Sequence, residues 1–419
     1  MTEPKKIYLV GIGMGTQAGL TEEARKVIAS SDAIAGAKRM LAAVFSPEEI
    51  QESPKGKVLF DSYSPKKIAE FFKSQTQMQQ GAVLLSGDVG FYSGAKGLLK
   101  ELEDFQVSLV PGISAVVYFC SRLKLSWEDV CLSSVHGRQC NLIGRIQKNH
   151  KTFALLDQPE TLKKLCDKLI YYGMGGVILH IGERLSYPEE RIISKRADAL
   201  RQEDISSFDK LLVVLAENPA PKNQVAISIP EEEFIRGKVP MTKSEVRTVS
   251  IGKMHLTPED VCYDIGAGSG SISVEMAVQS EDIKVYSIEK KPEALEILQQ
   301  NKRKFAVDNM EIIPGVAPEV LEELPPPSVA FIGGSDGKIG AIIDKLLEKN
   351  PACRIVINTV TLNTISEIMD YIKQKPELAT DIVQMQVAKD KKLGQYHMMM
   401  AQNPIYIITL TATSGKEEE

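Results

Sequence analysis

The sequence predicts an α/β protein built as two domains in series, and three observations carry that expectation. Short apolar runs alternate with amphipathic stretches of helical period along the whole chain. At 419 residues the chain exceeds one typical hydrophobic core. The alternation also breaks once, at 218–236 (NPAPKNQVAISIPEEEFIR), which holds three prolines and an acidic cluster with no sustained period. Residues 218–236 are therefore the expected linker, between domains at 1–217 and 237–413, with a frayed tail at 414–419.

Each element follows from its local pattern. In the first half, strands are expected at 7–13, 82–88, 106–112, 152–157, 176–182 and 210–217. Helices are expected at 21–31, 65–80, 94–103, 114–124 and 160–172. The second half restarts with a helix over 243–254. It continues with a strand ending in YDIG (263–266), a helix, the strand VYSIE (285–289) and a long helix over 292–306. Strands EIIPG (311–315), VAFIGG (329–334) and RIVINTV (354–360) follow. Residues 381–412 read as two strands joined by a polar loop, an antiparallel edge on an otherwise parallel sheet. No internal repeat is visible.

Composition narrows the function. Hydrophobic content of 43% and charged content of 25% are those of a soluble globular protein. A net charge of −5 and a single tryptophan argue against a nucleic-acid partner. The six cysteines form no CxxC pair, and His136 between Cys131 and Cys140 fits no common metal knuckle, so no metal site is expected. The apolar run in MTEPKKIYLVGIG is too short for a signal peptide, and no run suits a membrane helix. A cytoplasmic protein with reduced thiols is the expectation.

The most informative stretch is Asp264-Ile265-Gly266-Ala267-Gly268-Ser269-Gly270, at the end of a strand and the start of a helix. Its spacing is GxGxG rather than the GxGxxG of dinucleotide sites, which favours a ligand without a pyrophosphate. Glu289 ends the next strand, 25 residues after Asp264, where a carboxylate can accept both hydroxyls of a ribose. Asp264 is placed to approach an amino-acid end of the same ligand. These residues resemble the class I methyltransferase fold, which is Rossmann-like. MTKSEVR (241–247), GVAPE (315–319), FIGGS (331–335) and NTVTLNT (358–364) sharpen the resemblance to the CbiT family of precorrin carbon-15 methyltransferases and decarboxylases, over about 240–410. The resemblance implies a cofactor site at Thr242, Asp264, Gly266, Ala267, Gly268, Ser269, Gly270, Glu289 and Ala317, with substrate at Gly333, Gly334 and Ser335.

In the first half, Gly11-Ile12-Gly13-Met14-Gly15 also follows a strand, but taken alone it reads equally as a ligand loop or a tight turn. Three more segments lie at strand C-terminal ends, the ligand edge of an open α/β sheet: SGDVGFYS (86–93), VPGISA (110–115) and SVHGR (134–138). Together they resemble the class III tetrapyrrole methylases, whose fold has two α/β subdomains. HGR and LLSGDVGFYSGA point to the CbiE branch, which methylates precorrin carbon 5, over about 5–217. Met14 departs from the proline usual there. The resemblance implies cofactor contacts at Gly87, Asp88, Tyr92, Ser114 and Ala115, and a tetrapyrrole facing Gly11, Gly13, Gly15, His136 and Arg138. The residues themselves leave Asp88 an alternative role in fixing its own loop.

A fusion of these two families implies a bifunctional enzyme of corrin biosynthesis with S-adenosyl-L-methionine as cofactor and a precorrin or cobalt-precorrin as substrate. It implies a homo-oligomer as well, since class III domains resemble dimers in general. Candidates for proton transfer or carboxylate holding in the second domain are Lys243, Glu245, Arg247 and His397. Lys338, Lys389, Lys391 and Lys392 are further cations for an acidic substrate. Two other readings stay open: a methyltransferase fusion acting on another substrate, and a binding protein without turnover.

Overall fold

A computed structural model describes residues 5–52, 56–135, 140–222 and 228–413. The chain divides into two compact units, Met1–Gln139 with His150–Asp167 and Gly176–Pro219, and Cys140–Asn149 with Lys168–Gly175 and Ala220–Glu419.

The first unit contains two five-stranded sheets. Strands β1 (Lys6–Gly11), β2 (Ala33–Gly36), β3 (Val58–Asp61), β4 (Gln80–Leu85) and β5 (Gln106–Val110) form a parallel sheet in the order β3-β2-β4-β1-β5. Its central strands are buried on both faces: Ile7 and Leu9 pack on one side, Val10 and Leu84 on the other. Because β4, β1 and β5 are parallel neighbours, the loops that follow them open on one edge. The second sheet runs β6 (Val130–Ser134), β7 (Lys151–Leu156), β10 (Leu212–Glu217), β8 (Ile178–Glu183), β9 (Arg191–Arg196), and only its β6–β7 pair is parallel. Sequence reading missed β2, whose AIAG is short and has no alternation. It also missed β9, an edge strand whose Arg191, Lys195 and Arg196 read as solvated surface.

The second unit is one seven-stranded sheet covered on both faces. Strands β11 (Val261–Ile265), β12 (Lys284–Glu289), β13 (Met310–Pro314), β14 (Val329–Ile332) and β15 (Arg354–Thr359) are parallel. The order is β13-β12-β11-β14-β15-β19-β16, with β16 (Leu378–Met385) and β19 (Ile405–Ala412) antiparallel at one edge. One core lies beneath the helices Ser244–Met254, Ser271–Gln279 and Pro292–Phe305, the other beneath Ile339–Lys349 and Leu362–Lys373.

Two expectations change here. The polar loop between the last two sheet strands is itself a two-stranded hairpin, β17 (Ala388–Leu393) and β18 (Tyr396–Ala401). It turns at Gly394, where φ is 63°. Its charge run and Met398-Met399-Met400 lack the two-residue alternation that signals a half-buried strand. The expected linker also ends early. Ile229 and Phe234 are buried in the second unit's core, and Ile235 N donates to Asn301 Oδ1 at 2.8 Å, so residues 228–236 are packed chain.

Candidate active site

A cavity of about 830 Å³ opens at the C-terminal ends of β11, β12, β14 and β15. The backbone creates it. Gly266 and Gly268 adopt φ of 75° and 55°, a region that costs L-residues. A Cβ on Gly266 would stand 2.9 Å from Gly334 N, so the loop after β11 lies against the loop after its neighbour β14. Thr242, Asp264, Gly266, Ala267, Gly268, Ser269, Glu289, Ala317, Gly333, Gly334 and Ser335 all line the cavity. Gly270 does not. It takes φ of 77° at the start of the helix Ser271–Gln279, where any Cβ would strike Leu298, so it permits close helix packing.

Two acids dominate the electrostatics. Asp264 is buried, and burial together with the nearby Glu289 charge pushes its carboxyl up to about 7 against hydrogen bonds from the Ser273 side chain and backbone. Its Oδ1 is buried without a partner, as is Ser269 Oγ. Glu289 is held by three backbone donors: Gly268 N at 2.8 Å, and Lys290 N and Lys291 N at 2.9 Å each. A carboxylate has about four acceptor directions, which leaves about one for a ligand. Buried polar atoms left unpaired are costly, so these two oxygens fit a ligand that brings donors, among them a cationic amino group.

Of the proposed catalytic residues, only Lys243 lines this cavity, and its Nζ lies 3.1 Å from Glu231 Oε2. Glu245 is paired with Lys389 at 3.0 Å, outside the lining. Arg247 is corrected to an internal anchor. It is fully buried, bonded through Nε to Glu275 at 2.8 Å and through its other nitrogens to the carbonyls of Thr242 and Ile229. His397 is corrected to the exposed hairpin, where it pairs with Asp390 at 2.7 Å and does not line the cavity. Lys338 pairs with Glu319 at 2.6 Å, and Lys391 and Lys392 lie exposed on the hairpin. The cavity gains Gln402 and Asn403, which no motif signalled, and Val360 from the NTVTLNT segment. Ser273 and Ser287 stand behind Asp264, a relation legible only once β11 and β12 are in register.

In the first unit the glycine segments meet as the strand order requires. Gly13 and Gly87 bond reciprocally, N to O at 3.1 Å and 2.7 Å, and Gly11 and Gly112 leave no room for a Cβ between their strands. A Cβ at Gly15 would strike the Tyr187 hydroxyl. Asp88 accepts from Gly90 N at 2.8 Å and Gly112 N at 3.1 Å, so its carboxylate ties the loop after β4 to the loop after β5. Tyr92 has φ of 47° and donates to Leu132 O at 3.2 Å. Ser114 caps the helix Ala115–Leu123 through Val117 N. His136 and Arg138 lie outside the described residues.

Among the described residues no group of three or more His, Cys, Asp or Glu is placed to hold a metal, and no helix is long and apolar enough to cross a membrane.

Fold and site together define the class: a class III tetrapyrrole methylase fold followed by a class I methyltransferase fold. Residues 6–201 match the tetrapyrrole (corrin/porphyrin) methylases and residues 233–412 the precorrin methyltransferase domain. A Salmonella typhimurium protein named cobalt-precorrin-6B C(15)-methyltransferase (decarboxylating) is 33% identical over 180 residues, covering 42% of this chain and 93% of that relative. A Sinorhizobium protein named precorrin-6Y C(5,15)-methyltransferase [decarboxylating] is 24% identical over 389 residues, 93% of this chain and 92% of its own length. A crystal structure of a precorrin-6Y C5,15-methyltransferase from Geobacter metallireducens is 34% identical, covers 45% of this chain and 98% of that one, and has a TM-score of 0.43. The chain belongs to the decarboxylating precorrin methyltransferase family, with a tetrapyrrole methylase fused ahead of it. Methyltransferases of this family use S-adenosylmethionine as methyl donor.

Proposed function

We propose that this protein methylates a precorrin or cobalt-precorrin ring at carbons 5 and 15 and releases the ring-C acetate carboxyl as carbon dioxide. The full-length similarity to a protein named for both methylations carries this reading. Carbon-5 chemistry is assigned to residues 1–217. Carbon-15 methylation and decarboxylation are assigned to the second domain, which begins near 228 because Ile229 and Phe234 belong to its core.

S-adenosylmethionine, when bound, would supply a methyl group on a sulfonium, from which a neutral thioether is a good leaving group. The second domain's residues then have a binding and aligning task. Asp264 Oδ1 takes the cationic amino end, Glu289 a ribose hydroxyl, and the Gly266–Ser269 backbone lets the ligand lie close to the strand ends. Charge-assisted hydrogen bonds of this kind contribute about 1.5–3 kcal/mol each. Gly333, Gly334 and Ser335 face the same cavity from β14, which suits them to hold the ring where its carbon can attack the methyl in line. Val360 lines the cavity and is exposed, and Leu362 beside it is exposed too, giving a macrocycle face an apolar rest. Alignment of two reactants can lower a barrier by about 7–11 kcal/mol, so no nucleophilic side chain is needed. Lys243, which lines the cavity along with Lys290 and Lys291, is assigned to hold a substrate carboxylate or move a proton.

In the first domain, Gly87, Tyr92, Ser114 and Ala115 are assigned to the cofactor. Asp88 acts through the loops it ties. Gly11, Gly13 and Gly15 are assigned to the tetrapyrrole side.

Anaerobic incubation with S-adenosylmethionine and precorrin-6B, or its cobalt form, followed by mass spectrometry, tests the reading. The expected product carries two added methyl groups and lacks one carboxyl group. An unchanged ring with either substrate, while cofactor still binds, overturns it.

A further inference from the structure

The Asp264 carboxylate is divided between two surroundings. Oδ1 is buried and unpartnered, on a residue that lines the cavity. Oδ2 accepts from Ser273 Oγ on the helix Ser271–Gln279, and Ser273 Oγ accepts from Ser287 Oγ on β12 at 2.8 Å. Asp264 and Ser287 are register partners on adjacent parallel strands, so their side chains rise from the same face of the sheet. All three side chains are at most 1% exposed, so water does not compete for these bonds.

A hydroxyl has one proton to give. Ser287 spends its proton on Ser273, and Ser273 spends its own on the carboxylate. The chain therefore has a direction. It makes Oδ2 an acceptor and leaves Oδ1 as the oxygen without a donor, on a residue that lines the cavity.

We propose that Ser273 and Ser287 are positioning residues that keep Asp264 ionised, with Oδ1 presented to the cationic amino group of the cofactor. This rests on the reading of the cavity as a cofactor site and adds to it the two residues that prepare the acid.

The surroundings make such preparation necessary. Burial and the Glu289 charge both favour the neutral acid, and hydrogen bonds from the Ser273 side chain and backbone oppose them. The other charged groups of the cavity wall are Lys243, Lys290, Lys291 and Asp336, of which Lys290 is committed to Asp336. β14 places Phe331, which carries no charge, beside Asp264. Glu275, on the same helix as Ser273, is tied to Arg247. No cation is therefore bonded to Asp264 among the described residues, and Ser273, through its hydroxyl and its backbone, is its local stabiliser, with Ser287 behind the hydroxyl.

A cationic ligand needs the ionised acid, so affinity falls as pH drops through about 7, the value at which burial holds the carboxyl. Without the Ser273 hydroxyl the acid rises further, and the half-point of the affinity profile moves up by about one pH unit.

The test is calorimetric titration of the full chain with S-adenosylhomocysteine between about pH 5.5 and 8, for wild type, S273A, S273T, S287A and D264N. The ligand's own amino group titrates identically in every case, and a thermal unfolding scan of each variant checks that its second domain is folded. S273A should shift the second domain's profile up by about one unit, S287A should shift it less in the same direction, and S273T should restore it. Profiles of S273A and S287A that superimpose on wild type overturn the relay. If S273A does not fold, the S287A profile alone decides. D264N separates the two levels of the argument. A flattened D264N profile with an unmoved S273A profile refutes only the relay, whereas a D264N profile identical to wild type refutes the cofactor reading of the cavity.

Discussion

Arg247→Met tests whether this arginine anchors the fold or serves the chemistry. The guanidinium and the Glu275 carboxylate are both fully buried, 2.8 Å apart. Arg247 also holds Thr242 O at 2.8 Å and bonds Ile229 O, and it stacks over the Phe234 ring at 4.8 Å. Glu275 Oε1 in turn accepts from Ile229 N at 2.8 Å. The pair thus ties residues 229–242, which end in the cavity wall at Val239–Lys243, to the sheet's covering helices. Removing one member of a buried pair leaves an unpaired charge, at about 3–5 kcal/mol. Against a typical domain stability of about 5–15 kcal/mol, that is about a fifth or more of the total. Adding Glu275→Gln removes the stranded charge while keeping an acceptor for Ile229 N, so R247M/E275Q should recover about 1–2 kcal/mol or more. Urea unfolding followed by circular dichroism, with calorimetry to separate the transitions of the two units, measures both variants. A loss under about 1 kcal/mol for R247M, or a double variant no more stable than the single one, would refute the anchoring role.

Three further outcomes follow from the same geometry. Asp88→Ala removes the acceptor shared by Gly90 N and Gly112 N and should lower carbon-5 methylation roughly tenfold or more, with carbon-15 methylation retained, as read by product mass; equal loss at both carbons would contradict it. His397→Ala, on the exposed hairpin, should leave both methylations within about twofold in a steady-state assay, and a large loss at carbon 15 would return His397 to the site. Glu231 is pushed up by burial, but hydrogen bonds from Lys389, Lys243 and Ser244 N outweigh this and hold it down at about 2, from an ordinary 4.5. Its stabilising contribution is full above about 4.5 and is lost as pH falls through about 2. Glu231→Gln should therefore cost about 1 kcal/mol at neutral pH after solvent screening, with the difference from wild type vanishing in an acid-unfolding series.

Much of the architecture was legible before any coordinates. The second half's parallel strands are near-continuous apolar runs, all but β15 closed by glycine or an acid, so their positions and the cavity edge could be read directly. Asp264, the Gly266–Ser269 loop, Glu289 and Gly333–Ser335 fell where strand ends place them. The first unit was less legible: four-residue AIAG is too short for a period, and the charged RIISKR looks like surface. Arg247 and His397 misled for one reason. Residue type announces chemistry, whereas burial and orientation decide whether a group can use it.

What the sequence by itself determined, then, is the order of elements and the identity of the loops at strand ends, because periodicity and glycine spacing are local properties of the chain. Tertiary structure alone decided which acid is left with an open oxygen, which arginine is sealed inside, and which serines stand behind Asp264. Those depend on strand register and on what excludes water, and residues 264, 273 and 287 become neighbours only when the sheet and its covering helix close together.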